Sequence, residues 1–146
     1  MPPAKDLEPS QVLDTLGELI AGLAAFAAKV PAHASLPLPG GLKPTPEAVE
    51  SYETVVYRFR ERAGHTFKAL NSFFLDSLEA FEAGRVIDAV LPLVQAIDRL
   101  VALHAEEKIQ FSPAEQGRIR EYHRRLEGLL PETSKPEIDL PPPTIY

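Results

Sequence analysis

Residues 45–84 read TPEAVESYETVVYRFRERAGHTFKALNSFFLDSLEAFEAG, and this stretch decides the fold class. Thr45 followed by Pro46 predicts a helix start, because a hydroxyl caps free amides and proline fits the first turn. Gly84 fits the left-handed residue that often ends a helix. Between them apolar residues recur every three or four positions, the period of a helix with one buried face. That predicted core face comprises Tyr52, Val55, Val56, Phe59, Ala63, Phe67, Leu70, Phe74, Leu78 and Phe81.

One unbroken helix over 46–83 would be roughly 55 Å long at a rise of 1.5 Å per residue. That length is unusual for a compact domain of this size. We therefore expect a bend or break near Gly64 or at Asn71-Ser72, where helix-weakening residues interrupt the pattern.

The segments on either side have the same helical period. The first helix has apolar residues in a 4-3-4-3-4 spacing: Val12, Leu16, Leu19, Leu23, Phe26 and Val30. A third helix is expected from about Arg85 to Glu107, with Pro92 kinking it and an apolar face of Val86, Val90, Leu93, Val94, Ile97, Leu100 and Val101. A capping box, Ser112-Pro113-Ala114-Glu115, begins a fourth, whose apolar side is Ile119, Tyr122, Leu126, Leu129 and Leu130.

The fifteen prolines mark the boundaries of these elements. Proline is costly inside a helix, so its clusters outline a lead at 1–9, a loop at 31–45 and a tail at 131–146. No stretch alternates with the period of a strand. The sequence thus predicts one all-α domain over 10–130, an antiparallel bundle of four or five helices with an extended Pro-rich C-terminal tail.

Composition and charge exclude several function classes. The chain has no cysteine, so no disulfide, zinc-thiolate site or cysteine nucleophile is available. Its net charge of −6 argues against nucleic acid, although Arg118, Arg120, Arg124 and Arg125 are clustered. Acidic residues precede the short apolar run at 19–28, unlike a signal peptide, and the run is too short to span a bilayer. We expect a cytoplasmic protein with no membrane contact.

His65 is the first candidate site residue. The run Ala63-Gly64-His65-Thr66-Phe67-Lys68-Ala69 resembles the motif of histidine phosphotransfer domains, which are also helical bundles. The resemblance implies that His65 accepts a phosphoryl group and that Lys68, one turn later, steadies it. Ala69 stands where that family usually has glycine. The plainer interpretation is a surface histidine beside Glu61.

Arg99 and His104 form the second candidate. An Arg-x4-His spacing resembles the signature of HEPN-type helical bundles, and implies RNA processing or a nucleotidyltransferase partner. The spacing also occurs at Arg60/His65 and Arg118/His123, and Leu100 stands where that family expects a polar residue. The alternative is that Arg99 and His104 merely border the core.

The sequence indicates no metal and no cofactor. Glu-x-x-His pairs, Gly-x-Ser-x-Gly elements and phosphate-loop glycine patterns are all missing. The tail instead carries apolar anchors among its prolines, including Leu140, Ile145 and Tyr146. We therefore predict a non-enzymatic interaction or adaptor module that binds a protein partner, or a second copy of itself, through its bundle surface and its tail. Phosphotransfer and RNA processing are the alternatives.

Overall fold

The computed structural model describes residues 7–28 and 43–130, and in those ranges it contains six helices and no strand. The helices are α1 (Pro9–Ala27), α2 (Pro46–Arg62), α3 (Gly64–Phe67), α4 (Leu70–Glu82), α5 (Val86–Ala105) and α6 (Pro113–Gly128). The predicted all-α bundle is confirmed. Five of these helices are long, and α3 is a single turn.

Local capping chemistry sets the helix starts, as the sequence predicts. The Thr45 hydroxyl accepts from the Ala48 amide at 3.1 Å. At the start of α6, Ser112 Oγ accepts from the Glu115 amide at 3.1 Å, and Glu115 Oε1 accepts from the Ser112 amide at 2.8 Å. These bonds satisfy amide groups that the first turn of a helix leaves without partners.

The predicted break at Gly64 is confirmed, and it is larger than a bend. Gly64 has a φ of 68°, which ends α2, and the short α3 leads into α4. Tyr52 stacks on Phe81 at 4.4 Å between ring centroids, while Phe59 packs edge-on against Phe74 at 4.8 Å. As the residue number increases along α2, the residue number of the partner on α4 decreases. The two helices are antiparallel, so residues 46–83 form a helical hairpin, a sharper change of direction than a bend within one long helix.

The next two connections are tight turns. After α4, Gly84 has a φ of 77°, and the Arg85 amide donates to the Ala80 carbonyl at 2.9 Å, the C-terminal glycine motif that the sequence predicts. After α5 the same motif recurs with Glu107 in the left-handed position, φ 63°, and the Lys108 amide donates to the Leu103 carbonyl at 2.9 Å. These turns reverse the chain before α5 and before α6.

The bundle closes where α6 packs on α1. Arg118 Nη2 lies 2.8 Å from Asp14 Oδ1 and 2.9 Å from the Tyr122 hydroxyl, and Tyr122 covers Gly17. The residue numbers of the contacting pairs increase together along both helices, so α1 and α6 run parallel. This is the direction expected for the first and fifth of five long helices that alternate up and down. A Cβ on Gly17 would lie 2.6 Å from the Tyr122 hydroxyl oxygen, so this close approach requires glycine.

The core contains one buried polar chain that joins three helices. Ser77 Oγ donates to the Ala89 carbonyl at 2.7 Å, so Tyr52 must donate its own proton to Ser77 Oγ, 2.5 Å away. Burial raises the pKa of the Tyr52 phenol well above its ordinary value. The surrounding core is apolar, and α5 runs through the buried Pro92 as one continuous helix.

Candidate functional site

The first candidate site is a depression of about 720 Å³ in the α2–α4 hairpin. Because the chain reverses at Gly64, the C-terminal half of α2 faces the N-terminal half of α4, and α3 lies between them. The depression is lined by Val56, Tyr57, Arg60, His65, Lys68, Ala69, Asn71, Ser72 and Leu75. We call it the hairpin pocket.

The hairpin pocket contains both residues of the phosphotransfer resemblance. His65 and Lys68 are exposed, and three positions apart on helical backbone they occupy one face. Both line the same depression. Among the ion pairs of the described residues, none joins His65 to Glu61, so the surface pairing expected from the sequence is not formed there.

Sequence reasoning missed the other half of this pocket. Arg60 and Tyr57 reach it from α2, and Asn71 reaches it from α4. The reversal at Gly64 brings Asn71 of α4 to the same cavity as Tyr57 and Arg60 of α2. The spacing Arg60-x4-His65 is visible in the sequence, but the expected bend or break near Gly64 does not specify that α4 folds back along α2, so the sequence predicts no shared cavity.

One polar atom of a residue that lines this pocket has no partner among residues 7–28 and 43–130. Oδ1 of Asn71 is buried, and those residues supply it with no hydrogen bond. Such atoms are uncommon because leaving a buried acceptor unsatisfied costs about 1–3 kcal/mol. Because this oxygen is closed to solvent, a ligand in the hairpin pocket does not reach it in this conformation.

The second candidate pair, Arg99 and His104, is placed differently. Five positions along a helix separate the two side chains by about 140° around its axis. His104 Nδ1 accepts from the Phe111 amide at 3.2 Å, and its ring lies against Phe111. In neutral His104 the proton must therefore be on Nε2, so neither nitrogen is free to act as a base. His104 holds the α5–α6 turn, and the RNA-processing interpretation of this pair stays a prediction.

The arginine cluster of α6 is partly neutralised within the fold. Arg118 binds Asp14, and Arg124 Nη2 lies 2.9 Å from Glu121 Oε1. The hydroxyl of Tyr122 and the carboxylate of Asp14 raise the pKa of the Arg118 guanidinium. Two of the four arginines thus have acidic partners already, which weakens their attraction for an external polyanion.

A surface that the sequence analysis did not assign lies along α5. Val101, expected in the core, is 48% exposed, so that prediction is wrong. Leu91 and Ile87 are also exposed, at 44% and 37%. With half-buried Val94 they form a second seam in 4-3-4-3-4 spacing, separate from the buried face: Ile87, Leu91, Val94, Asp98, Val101 and Ala105. We call this seam the α5 stripe. Its regular spacing is the feature of the sequence from which this second apolar face could have been predicted.

The α5 helix is therefore apolar on more than its inner face. Its core-facing positions are fully used: Ala89, Val90, Pro92, Leu93, Ala96, Ile97, Leu100 and Leu103 are buried. The α5 stripe continues from one edge of that face into solvent. A helix that is apolar over most of its circumference is usually buried on most sides.

A second depression, of about 810 Å³, lies between α1 and α2. Its lining combines small side chains (Ala21, Gly22, Ala25 and Ala48) with the aromatic residues Phe26, Tyr52 and Phe81 and with charged residues of both signs. Nothing in this groove converges on one kind of chemistry.

Neither metal chemistry nor a membrane span has a basis in the described ranges. Across 7–28 and 43–130 no group of three or more histidines and carboxylates is placed to hold a metal ion. No helix in those ranges has the length and apolar character needed to cross a bilayer. The predicted tail anchors Leu140, Ile145 and Tyr146 lie outside the described residues.

Comparison with known proteins gives no relative to argue from. The chain matches no protein family model, no curated protein and no solved structure. Function must therefore be argued from the chemistry of the hairpin pocket and the α5 stripe.

Proposed function

We propose that this chain is a non-enzymatic interaction module that pairs with a second copy of itself through the α5 stripe. The observation that carries the proposal is the exposed apolar seam of Ile87, Leu91 and Val101, on a helix whose opposite face is already committed to the core. Exposed apolar residues aligned in this way on a helix are typical of an interface. The Pro-rich tail adds extended contacts, and the acidic residues that precede the apolar run at 19–28 fit a cytoplasmic protein.

The spacing of the stripe favours a second copy over an unrelated partner. When two α5 helices are laid antiparallel around position 96, Leu91 meets the other copy's Val101, and Ile87 meets its Ala105. Val94 meets Asp98 in the same register. Every position of the seam thus finds another seam position, which is the self-complementarity that a two-fold interface requires.

The expected dimer is weak. A standard interface buries about 800 Å² on each partner, and one pair of five-turn helices supplies less than that. Asp98 also places a carboxylate at an apolar position of the seam, which lowers stability and fixes the register. Association in the micromolar range or weaker is the expected result.

Sedimentation velocity over a concentration series tests this proposal. Val101→Glu should shift the chain to monomer, while Thr54→Glu, which adds the same charge at an exposed position of α2, should leave association unchanged. Asp98→Leu should tighten association at least tenfold, because it removes a carboxylate that the proposed dimer would bury. Circular dichroism checks that each variant is folded.

Two outcomes would overturn the proposal. One is a wild-type chain that stays monomeric at every concentration, with Asp98→Leu monomeric as well. The other is a monomer that becomes a dimer only when residues 131–146 are deleted, since the tail would then be what covers the α5 stripe.

One observation favours a second candidate function, phosphotransfer. His65 and Lys68 share an exposed face of the hairpin pocket, with Arg60 lining the same cavity. In that reaction a nitrogen of His65 forms an N–P bond as the P–O bond of an acyl phosphate breaks, and the donor leaves as a carboxylate. Incubation with radiolabelled acetyl phosphate should label the wild-type chain and not His65→Ala. Equal labelling of both chains would refute this function.

A further inference from the structure

The hairpin pocket carries an unbalanced positive charge. Its lining includes Arg60, Lys68 and His65 and contains no carboxylate, although acidic residues outnumber basic ones in the chain as a whole. None of the ion pairs made by the described residues involves Arg60 or Lys68. The two permanent cations therefore line one cavity without a counter-charge from those residues, which raises the local concentration of anions there.

The lining of the same pocket also includes apolar groups. Val56, Leu75 and the ring of Tyr57 line it, and Tyr57 is 39% exposed, although large aromatic side chains contribute most when covered. A cavity lined by both charged and apolar side chains fits a ligand that has both characters.

The magnitude of the charge selects the kind of anion. Two permanent cations with a histidine beside them balance a group carrying about two negative charges. A phosphate monoester has about −1.5 to −2 at neutral pH, whereas a carboxylate or a sulfonate has only −1. Asn71 lines the same cavity, and the amide nitrogen of its side chain is a donor that suits a phosphate oxygen.

We propose that the hairpin pocket binds a small organic phosphate monoester, with the phosphate against Arg60 and Lys68 and the organic group against Tyr57. Arginine supplies the planar donor pair that suits phosphate oxygens, and lysine adds a point charge. His65 borders the phosphate as a further donor. The binding is reversible and independent of the α5 stripe and of any transfer to His65.

Calorimetric titration of the full chain with phenyl phosphate tests this site. Phenyl phosphate should bind at least tenfold more tightly than benzenesulfonate, which has the same ring and one charge, and more tightly than inorganic phosphate, which has no ring. Arg60→Gln should weaken phenyl phosphate binding at least tenfold. Arg99→Gln, a matched loss of an exposed arginine on α5, should leave it unchanged.

Two further variants separate the contributions. Tyr57→Ala should lower the affinity for phenyl phosphate to that for inorganic phosphate. His65→Gln, which cannot be phosphorylated, should retain binding within a few-fold, so this site and the transfer reaction can fail independently.

Absence of saturable phenyl phosphate binding up to about 10 mM would refute the site, because a dissociation constant above that concentration corresponds to a binding free energy weaker than roughly 3 kcal/mol. Equal binding by wild type and Arg60→Gln would refute it as well, since the ligand would then lie elsewhere.

Discussion

The buried chain from Tyr52 through Ser77 to the Ala89 carbonyl gives the most demanding test of the fold. Ser77→Ala removes the acceptor of the Tyr52 proton and leaves that hydroxyl buried without a partner. Leaving a buried hydroxyl without a partner costs about 1–3 kcal/mol, more than the roughly 0.5–1.5 kcal/mol that an ordinary hydrogen bond contributes net. We expect Ser77→Ala to lower the free energy of unfolding by about 2–3 kcal/mol, a large loss for a replacement that removes one oxygen.

The sign of the coupling distinguishes this explanation from simple loss of contacts. Tyr52→Phe alone removes one hydrogen bond and leaves Ser77 bound to Ala89, which should cost about 1 kcal/mol. Added to Ser77→Ala, the same change removes the stranded hydroxyl, so the double variant should be more stable than Ser77→Ala by about 1 kcal/mol.

Urea unfolding followed by circular dichroism at 222 nm measures all four chains. Ser51→Ala, at an exposed serine of α2, should change stability by less than about 0.5 kcal/mol and serves as the control. If the losses of the two single variants simply add in the double variant, the argument from an unsatisfied hydroxyl is wrong.

Three further expectations concern backbone fit and pH, and each can be measured by the same unfolding assay. Gly117→Ala should raise the free energy of unfolding by about 0.5–1 kcal/mol, because the new Cβ comes no closer than 3.9 Å to its nearest neighbour. Gly17→Ala should give no such gain, because its Cβ would displace Tyr122. Equal gains from the two substitutions would contradict the close approach of α6 to α1. Glu107→Gly should raise the free energy of unfolding by about 0.5–1 kcal/mol, since the residue has a φ of 63°, which glycine adopts without strain. A lower free energy of unfolding would show instead that the Glu107 side chain stabilises the fold by more than the backbone strain costs. Because burial raises the pKa of Tyr52, the folded chain keeps the phenol proton at pH values where the unfolded chain releases it. The free energy of unfolding should therefore fall above about pH 10, by at most about 1.4 kcal/mol per pH unit. Tyr52→Phe should make that fall less steep.

The helix boundaries could be predicted because they depend on neighbouring residues alone. Thr45 before Pro46 and Ser112 before Pro113 cap their own helices, and Gly64 and Gly84 adopt positive φ within their own turns. None of these features requires a distant part of the chain. The buried faces of α1, α2 and α4 follow as directly from helical spacing.

The direction of the chain after Gly64 could not be predicted in the same way. A positive φ ends a helix without fixing where the next one points. That choice depends on pairing distant aromatic residues, Tyr52 with Phe81 and Phe59 with Phe74, which local spacing does not specify. The same limit explains Val101: α5 carries two apolar seams, and only packing decides which one faces the core.

The hairpin pocket follows from this reversal, which connects fold and candidate function. If 46–83 were one straight helix, Arg60 and Asn71 would lie about 16 Å apart along its axis, at 1.5 Å per residue. The reversal brings both into the lining of a single cavity beside His65. The Leu7 amide donates to the Arg62 carbonyl at 3.2 Å, so the lead of α1 satisfies a group that the end of α2 leaves open. Contacts that stabilise the break at Gly64 therefore also preserve the arrangement that brings Arg60, His65 and Lys68 into the lining of one cavity.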